Sequence, residues 1–218
     1  MKIHIIADPE YRQSFVDYVD TVDGLERKEP ADIVLDFSFL HPVAKAERLS
    51  KFDALIPILC NTLTMSATTA QHYSPSGAQI IGIPILPHYF AHQQSVEYSL
   101  PIGVTHVPEV IAPLLAVLGK TGDQMRDSIA GVFPRTLAMI INEAAFAVQE
   151  SVATPADIDT AMKLGTNYPL GPLAWCDEIG AEAIVAVLDA LAKEYGNERY
   201  RVASILRRYA ESGMKFIA

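Results

Sequence analysis

The sequence lacks several features that would mark a metalloprotein, a disulfide-bonded protein or a nucleic-acid-binding protein. It has only two cysteines, Cys60 and Cys176, which are far apart and have no Cys-x-x-Cys spacing. This argues against a zinc site and a disulfide framework, and we predict two buried free thiols. Lys and Arg total 17 against 26 Asp and Glu, for a formal net charge of -9. Because nucleic acids and anionic membranes select clustered cations, neither is an expected partner.

Long apolar runs are missing as well. The longest stretches are well short of the roughly 20 residues that span a bilayer, and the N-terminus has no basic-then-apolar signal pattern. We therefore expect a cytoplasmic protein. Half of the residues are nevertheless hydrophobic, which is enough to bury a core and argues against intrinsic disorder.

The first strand and helix lack a glycine-rich turn between them. In "KIHIIADPEYRQSF", residues 2–15, an apolar strand is followed directly by Asp8-Pro9-Glu10 and an amphipathic stretch. Dinucleotide-binding domains need glycines at this turn, since a pyrophosphate must approach bare backbone at the helix N-terminus. Here carboxylates stand where a phosphate would lie.

Residues 1–127 alternate short apolar strands with helical stretches, which predicts an open α/β domain with a mostly parallel sheet. Strands are predicted at 2–7, 32–37, 54–60, 79–85 and near 95–101 and 123–126, and helices at 10–20, 42–51, 65–73 and 107–118. His88 and His92 lie in a stretch that reads as extended, where residues four apart are about 13 Å from each other, so no metal site is predicted.

Residues 128–218 show only helical patterns, which predicts an all-α second domain. Helices are expected at 135–152, 154–165, 172–180, 181–195 and 198–212. The second of these has Thr154 as N-cap, Pro155 at its first position and Gly165 as C-cap. Several helices carry apolar residues on more than one face, such as Leu137 and Met139. Because such faces must be covered, we expect a homodimer through these helices, and the alternative is a single well-packed monomer core.

The helical half resembles the C-terminal domain of the 3-hydroxyacyl-CoA dehydrogenase family. The resemblance is carried by "NEAAFAVQESVATPADIDTAMKLGTNYPLGPLAWCDEIG", residues 142–180, and by Arg199-Tyr200. It implies a fold with a truncated Rossmann-like sheet domain followed by the family's helical domain. It also implies NAD as cofactor, an acyl-CoA-like substrate, and dimerisation through the helical domain.

The α/β half matches the family in pieces. "ADIVLDF", residues 31–37, resembles the strand under the nicotinamide, and Lys45 falls where the family has a lysine near the cofactor. In "CNTLTM", residues 60–65, Asn61 and Thr62 match the family, which makes Lys45 and Asn61 the candidate cofactor contacts. The family's substrate-binding serine is replaced by Leu63, and its glutamate five residues before Lys45 by Leu40.

The family's acid–base machinery is interrupted. Its catalytic histidine follows a Gly-x pair, and the matching residue here is Pro84. The glutamate that orients this histidine matches Glu97, while the family's substrate-contacting asparagine is Pro134. Residues 8–31 also lead almost directly from the first strand to "ADIVLDF", so the second strand, whose acidic residue holds the adenosine ribose, is expected to be missing.

Three interpretations follow. In the first, the protein is a diverged relative that has lost NAD-dependent catalysis, needs no cofactor and binds an acyl-CoA-like molecule. In the second, it is an active oxidoreductase in which His88 or His92 pairs with Glu97. In the third, it is a structural partner that forms mixed dimers with a full-length dehydrogenase.

Overall fold

The computed structural model describes all residues except 39–41, 54, 76, 88 and 218, together with the side chains at positions 10, 42, 43 and 46. The chain divides into two compact units, Met1–Gly131 and Val132–Ala218. The sequence had placed this boundary at residues 127 and 128.

The first unit is built on one β-sheet, which has seven strands in the part of the chain that the structure describes. They are β1 (Lys2–Ile6), β2 (Glu26–Arg27), β3 (Ile33–Asp36), β4 (Ile58–Asn61), β5 (Ile80–Ile83), β6 (Ser95–Ser99) and β7 (Thr121–Met125). Their order across the sheet is β2-β1-β3-β4-β5-β6-β7. Neighbouring strands are parallel except β5 and β6, which are antiparallel.

Helices cover both faces of this sheet. They are α1 (Pro9–Asp20), α2 (Pro42–Leu49), α3 (Ala67–Tyr73) and α4 (Ile111–Val117). Alternate strand residues point to opposite faces, so Ile33 and Leu35 pack in the cluster that includes α1 and α4, whereas Val34 packs in the cluster that includes α2 and α3. The prediction of an α/β sheet domain is confirmed.

The second unit is helical. Its α-helices are α5 (Phe133–Gln149), α6 (Pro155–Thr166), α7 (Pro172–Ile179), α8 (Ala181–Tyr195) and α9 (Ser204–Ser212), with a 3₁₀ helix at Glu198–Tyr200. Its core contains residues exposed by 3% or less from α5, α7, α8 and α9, namely Leu137, Ile141, Leu173, Ile184, Leu188 and Leu206. No helix in the described part of the chain combines the length and apolar character needed to cross a membrane.

Two polar residues of the helical half, from the stretch that resembles the dehydrogenase family, hydrogen-bond to backbone groups far away in the sequence. Asn142 donates to the main-chain oxygen of Arg201 (2.9 Å) and accepts from the N–H of Ala203 (2.9 Å). Asp177 accepts from the N–H groups of Phe216 and Ile217 at 2.8 and 2.7 Å. These side chains satisfy backbone groups of distant segments, which is a structural role.

Some predicted boundaries were wrong. The helix that begins at Pro155 runs through Gly165 to Thr166, and Asn167 takes the left-handed conformation (φ 57°) in its place. Asparagine tolerates this conformation well enough to end a helix. The stretch predicted as one helix over 198–212 divides into the 3₁₀ helix and α9.

The second strand predicted to be missing is present as a remnant. β2 is two residues long and pairs in parallel with β1, on the side away from β3. Both of its residues are exposed. A two-residue strand without a buried side chain gives no apolar alternation, which is why the sequence pattern did not reveal it.

Candidate functional site

The carboxyl ends of β1, β3, β4 and β5 form one edge of the sheet. The strand order reverses between β1 and β3, and open α/β sheets bind ligands at such a switch point. Asp8 follows β1, Asp36 ends β3, Asn61 ends β4 and Pro84 follows β5. The fold thus brings several of the residues singled out in the sequence to one edge.

The turn between β1 and α1 does not fit a dinucleotide. Asp8 is the N-cap of α1 and is only 6% exposed. Pro9 is the first residue of the helix and has no N–H to donate. A pyrophosphate at this position would need free backbone N–H groups and a close approach to the chain. An aspartate there opposes a phosphate by its charge.

A buried ion pair lies at the same edge. The Nζ atom of Lys45, on α2, donates to Asp36 Oδ2 (2.8 Å) and to the main-chain oxygens of Ser38 (3.0 Å) and Asn61 (3.2 Å). The side chains of Lys45 and Asp36 are 3% and 0% exposed. Ser38 Oγ donates to the other carboxylate oxygen of Asp36 at 2.5 Å. The three N–H bonds of the ammonium group therefore all have protein acceptors.

Cys60 lies beside this pair. Its Sγ atom is 3.6 Å from Lys45 Nζ and 3.8 Å from Asp36 Oδ2. Burial raises the pKa of the Cys60 thiol to about 12, although Lys45 acts in the opposite direction. Burial acts to lower the pKa of Lys45, but Cys60 and Asp36 outweigh it and the pKa is raised. A protonated, enclosed thiol is a poor nucleophile. The prediction of two buried free thiols is confirmed for Cys60 and Cys176.

Asn61 joins three strand ends through its side-chain amide. Its Nδ2 donates to the main-chain oxygens of Phe37 (3.3 Å) and Ile85 (3.1 Å). Its Oδ1 accepts from the N–H groups of Leu63 (3.0 Å) and Ile85 (3.2 Å). The hydrogen bonds just described connect Asn61 and Lys45 to other groups of the protein; that either residue contacts a cofactor stays a prediction.

Pro84 and Glu97 lie opposite each other. The antiparallel pairing of β5 and β6 sets Gly82 against Ser99, so two residues further the register places Pro84 against Glu97. Gly131 lies against both, because a Cβ added there would collide with Glu97 Oε2 and lie 2.8 Å from Pro84 Cγ. The carboxylate that the resemblance assigns to orienting a histidine thus stands next to a ring with no group to donate or accept a proton.

Of the two histidines proposed as replacements for the catalytic one, only His92 lies within the described residues. His88 lies outside the described residues. His92 is exposed and ends a 3₁₀ helix over Phe90–His92, so the extended conformation expected there was wrong. A catalytic role for Glu97 with either histidine stays a prediction.

Other positions where the family has polar groups are also apolar. Leu63 is 0% exposed at the sheet edge. Beside it, Thr62 is 1% exposed, and its Oγ1 has no hydrogen-bond partner within the described part of the chain. In the second unit, Pro134 is buried in the first turn of α5. Leu63 and Pro134 therefore contribute packing and no hydrogen bonds from their side chains.

Sequence reasoning missed Asp36, the buried partner of Lys45. A signal was present, because a carboxylate at the end of the apolar strand "IVLD" requires a cation or donors when buried. It also missed Asp127, whose carboxylate accepts from the N–H groups of Ala67 (2.7 Å) and Thr68 (2.8 Å) at the start of α3. Nothing local connects residues about 60 positions apart.

Comparisons with known proteins extend these observations. Residues 132–215 match the family model for the 3-hydroxyacyl-CoA dehydrogenase C-terminal domain. The chain is 30% identical over 210 residues to a probable 3-hydroxybutyryl-CoA dehydrogenase of Bacillus subtilis, covering 92% of this chain and 71% of that protein. It is 53% identical over 97 residues to 3-hydroxyadipyl-CoA dehydrogenase of Escherichia coli, covering 44% of this chain but 20% of the relative.

A solved structure shows the same arrangement of elements. The (S)-3-hydroxybutyryl-CoA dehydrogenase of Ralstonia eutropha superposes with a TM-score of 0.73 at 27% identity, covering 87% of this chain and 70% of that one. The sheet with its switch point and the helical unit define a dehydrogenase-type scaffold with a Rossmann-like domain. The chain belongs to the 3-hydroxyacyl-CoA dehydrogenase family.

Proposed function

We propose that this chain is a family member that has lost NAD-dependent hydride transfer and that its ligand is an acyl-CoA-like molecule. The observation that supports this most directly is the position of Pro84 opposite Glu97. An imidazole at this position can take up and give back a proton, whereas the proline ring has no group that can do so.

Hydride transfer from a 3-hydroxyacyl thioester requires an acid–base group near the hydroxyl, a donor for the developing negative charge and a bound nicotinamide. Loss of the acid–base group alone costs on the order of 10²- to 10⁴-fold in rate. The Asp8-Pro9 turn adds a second obstacle, because it opposes the cofactor phosphates. The protein would then act as a pseudoenzyme of acyl-CoA metabolism.

The rival proposal is an active oxidoreductase that uses His88 or His92 with Glu97. The two differ in a direct assay. We expect no NAD-dependent oxidation of 3-hydroxybutyryl-CoA above background, and no fluorescence change of NADH up to roughly millimolar protein or cofactor, the upper end of common substrate affinities. Turnover that is abolished by His88→Ala or His92→Ala would establish the rival instead.

One variant tests whether inactivity is due to the missing histidine alone or also to the missing cofactor site. Pro84→His returns the imidazole opposite Glu97, and Pro84→Ala is its matched control. We expect Pro84→His to remain inactive, because Asp8, Pro9 and Leu63 still oppose the cofactor and the substrate. Measurable turnover by Pro84→His, lost again in Pro84→His with Glu97→Gln, would show that the cofactor site is intact.

Ligand binding is tested apart from catalysis. Calorimetric titration with 3-hydroxybutyryl-CoA is expected to show binding, while free coenzyme A, which lacks the acyl group, is expected to bind more weakly. Equal affinity for both would contradict recognition of an acyl group. An absence of heat with either ligand would contradict the acyl-CoA part of the proposal.

A further inference from the structure

A cleft of about 480 Å³ opens in the first unit at the edge of the sheet opposite the candidate site. Part of its lining comes from the places where two strands begin, with Pro57 directly before β4 and Gln79 and Ile80 at the start of β5. The carboxyl end of β4 lies about 10 Å further along that strand. The cleft is therefore separate from the residues around Lys45 and Asn61.

The remaining lining is held in place by hydrogen bonds. It comes mainly from the segment 101–110, which leads from β6 to α4. The N–H of Val104 donates to the main-chain oxygen of Pro101 at 3.0 Å, and the N–H of Ile102 donates to Thr68 Oγ1 on α3 at 2.8 Å. A ligand would thus meet a pre-formed cleft, which lowers the entropy lost on binding.

Four polar side chains line this cleft without partners in the protein. They belong to Gln71 on α3, Gln79, His106 and Glu109. None of them forms a hydrogen bond or an ion pair with another described residue. Glu109 is the one acidic residue in the described lining, which contains no lysine or arginine. The lining therefore offers hydrogen-bonding groups and a negative charge.

We propose that this cleft binds a small organic cation, in which an ammonium group is joined to an apolar ring or chain. The ammonium group donates to the carboxylate of Glu109, and a hydrogen bond between two charged groups is stronger than one between neutral groups. The side-chain amides of Gln71 and Gln79 supply further acceptors. The apolar part of the ligand packs against Pro57 and Val110, which also line the cleft. The volume is typical of a small-molecule site.

This ligand differs from the acyl-CoA-like molecule proposed above. A coenzyme A ester carries several phosphate charges, and the described lining of the cleft opposes them with a carboxylate and offers no cation. The net charge of -9 acts in the same direction. The inference therefore does not depend on the proposed function and stands if that proposal fails.

The test uses three probes that share a phenyl ring and a two-carbon chain but differ in charge. They are phenethylamine, phenethyl alcohol and hydrocinnamate, which are a cation, a neutral molecule and an anion. Each is titrated into the isotope-labelled full chain, and the amide signals are followed by NMR. We expect the amine to bind with a Kd of about 1 mM, in keeping with its size. It should shift the signals of Gln71, Gln79 and Glu109, whereas the alcohol should bind about threefold more weakly or worse and the acid still less.

Two variants and a control identify the cleft as the binding site. Glu109→Gln keeps the size of the side chain and removes its charge, so it is expected to weaken binding of the amine about threefold or more and to leave binding of the alcohol unchanged. Val104→Trp, at an exposed position of the lining, fills the cleft and is expected to weaken binding of both. Glu47→Gln, at an exposed position of α2 outside the lining, should change neither. The same spectra show whether each variant is folded.

Several results would overturn the proposal. One is the absence of any shift with the amine up to about 10 mM, and another is equal affinity for the amine and for either of the other two probes. Shifts centred on Lys45 and Asn61 would place the ligand at the other edge of the sheet. Unchanged affinity for the amine in Glu109→Gln or in Val104→Trp would likewise exclude the cleft as its site.

Discussion

At the scale of single residues, Lys45 and Asp36 form an ion pair, and replacing either one alone is expected to destabilise the protein. Both side chains are almost completely buried. Lys45→Met leaves Asp36 without its cation, and removal of one partner of a buried pair costs about 3–5 kcal/mol. We expect a loss of stability of that order, measured by urea unfolding.

A second variant distinguishes the lost charge from lost packing. Replacing both partners, as Asp36→Leu with Lys45→Met, removes the unpaired charge and is expected to be less harmful than Lys45→Met alone. Glu47→Ala, at an exposed position of the same helix, is the control and should stay within about 0.5 kcal/mol of wild type. A double variant as unstable as the single one would contradict the argument.

The two thiols give a chemical prediction. Burial raises the pKa of Cys60 to about 12 and also raises that of Cys176. The thiolate is the reactive form. We therefore expect neither cysteine to react with a disulfide reagent at about pH 8 until the protein unfolds. Thr160→Cys adds a thiol at an exposed position of α6 and should be labelled in the folded state, as detected by mass spectrometry.

Lys120 gives a pH prediction. Its Nζ donates to the main-chain oxygens of Phe90 (2.7 Å) and Gln93 (2.5 Å), and burial lowers its pKa from 10.5 to about 8. Between these values the unfolded chain binds more protons than the folded chain, so Lys120 makes stability rise with pH. Below about pH 8 the buried side chain of Lys120 is charged, and the whole free-energy cost of burying this charge lowers the stability of the fold.

The measurement compares how the free energy of unfolding changes with pH in three proteins. Urea midpoints are recorded from neutral pH to about pH 10 for wild type, for Lys120→Met and for the exposed control Lys28→Met. We expect the difference in stability between wild type and Lys120→Met to grow in favour of wild type as pH rises through this window. A difference that shrinks or stays constant would show that the folded-state pKa is not lowered.

At the scale of elements, Asp159 connects α6 to α7. Its two carboxylate oxygens accept from the N–H groups of Leu173 and Ala174, both at 2.8 Å. Asp159→Ala leaves these donors of the first turn without acceptors, and we expect a loss of about 1–3 kcal/mol. Asp157→Ala, an exposed residue in the first turn of α6, removes a weaker interaction and should cost about 1 kcal/mol or less. Thermal unfolding measures both, and equal losses would refute a special role for Asp159.

Elements with a strong periodic pattern were predictable. The helices of the second unit show apolar residues at helical spacing. Thr154 as N-cap and Pro155 at the first position predict where α6 begins. β2 was not predictable, because its existence depends only on pairing with β1. The end of α6 was missed because Gly165 and Asn167 are both suitable terminators, and local sequence does not choose between them.

The candidate site was predictable only in part. The proline at position 84 and its glutamate were found through the resemblance, and the sheet register places them opposite each other. The partners of Lys45 were not found, because Asp36 and Cys60 are brought to it by strand pairing. Contacts between residues far apart in sequence depend on topology, which propensity and spacing do not specify.

At the scale of the whole molecule, each unit has its own core. The sheet unit buries Ile33 and Leu35 between its helical layers, and the helical unit buries Ile184 and Leu188. A chain with two cores need not unfold in a single cooperative step. We therefore expect differential scanning calorimetry to resolve two transitions, one for each unit.

Variants already described assign these transitions. Lys45→Met should lower the temperature of one transition, and Asp159→Ala should lower that of the other, because each affects a different unit. Binding between folded copies stabilises the unit that carries the interface. If two copies associate through the helical unit, as its apolar helix faces predict, raising the protein concentration should raise the transition that Asp159→Ala lowers. A single transition shifted by both variants would show instead that the two units unfold together.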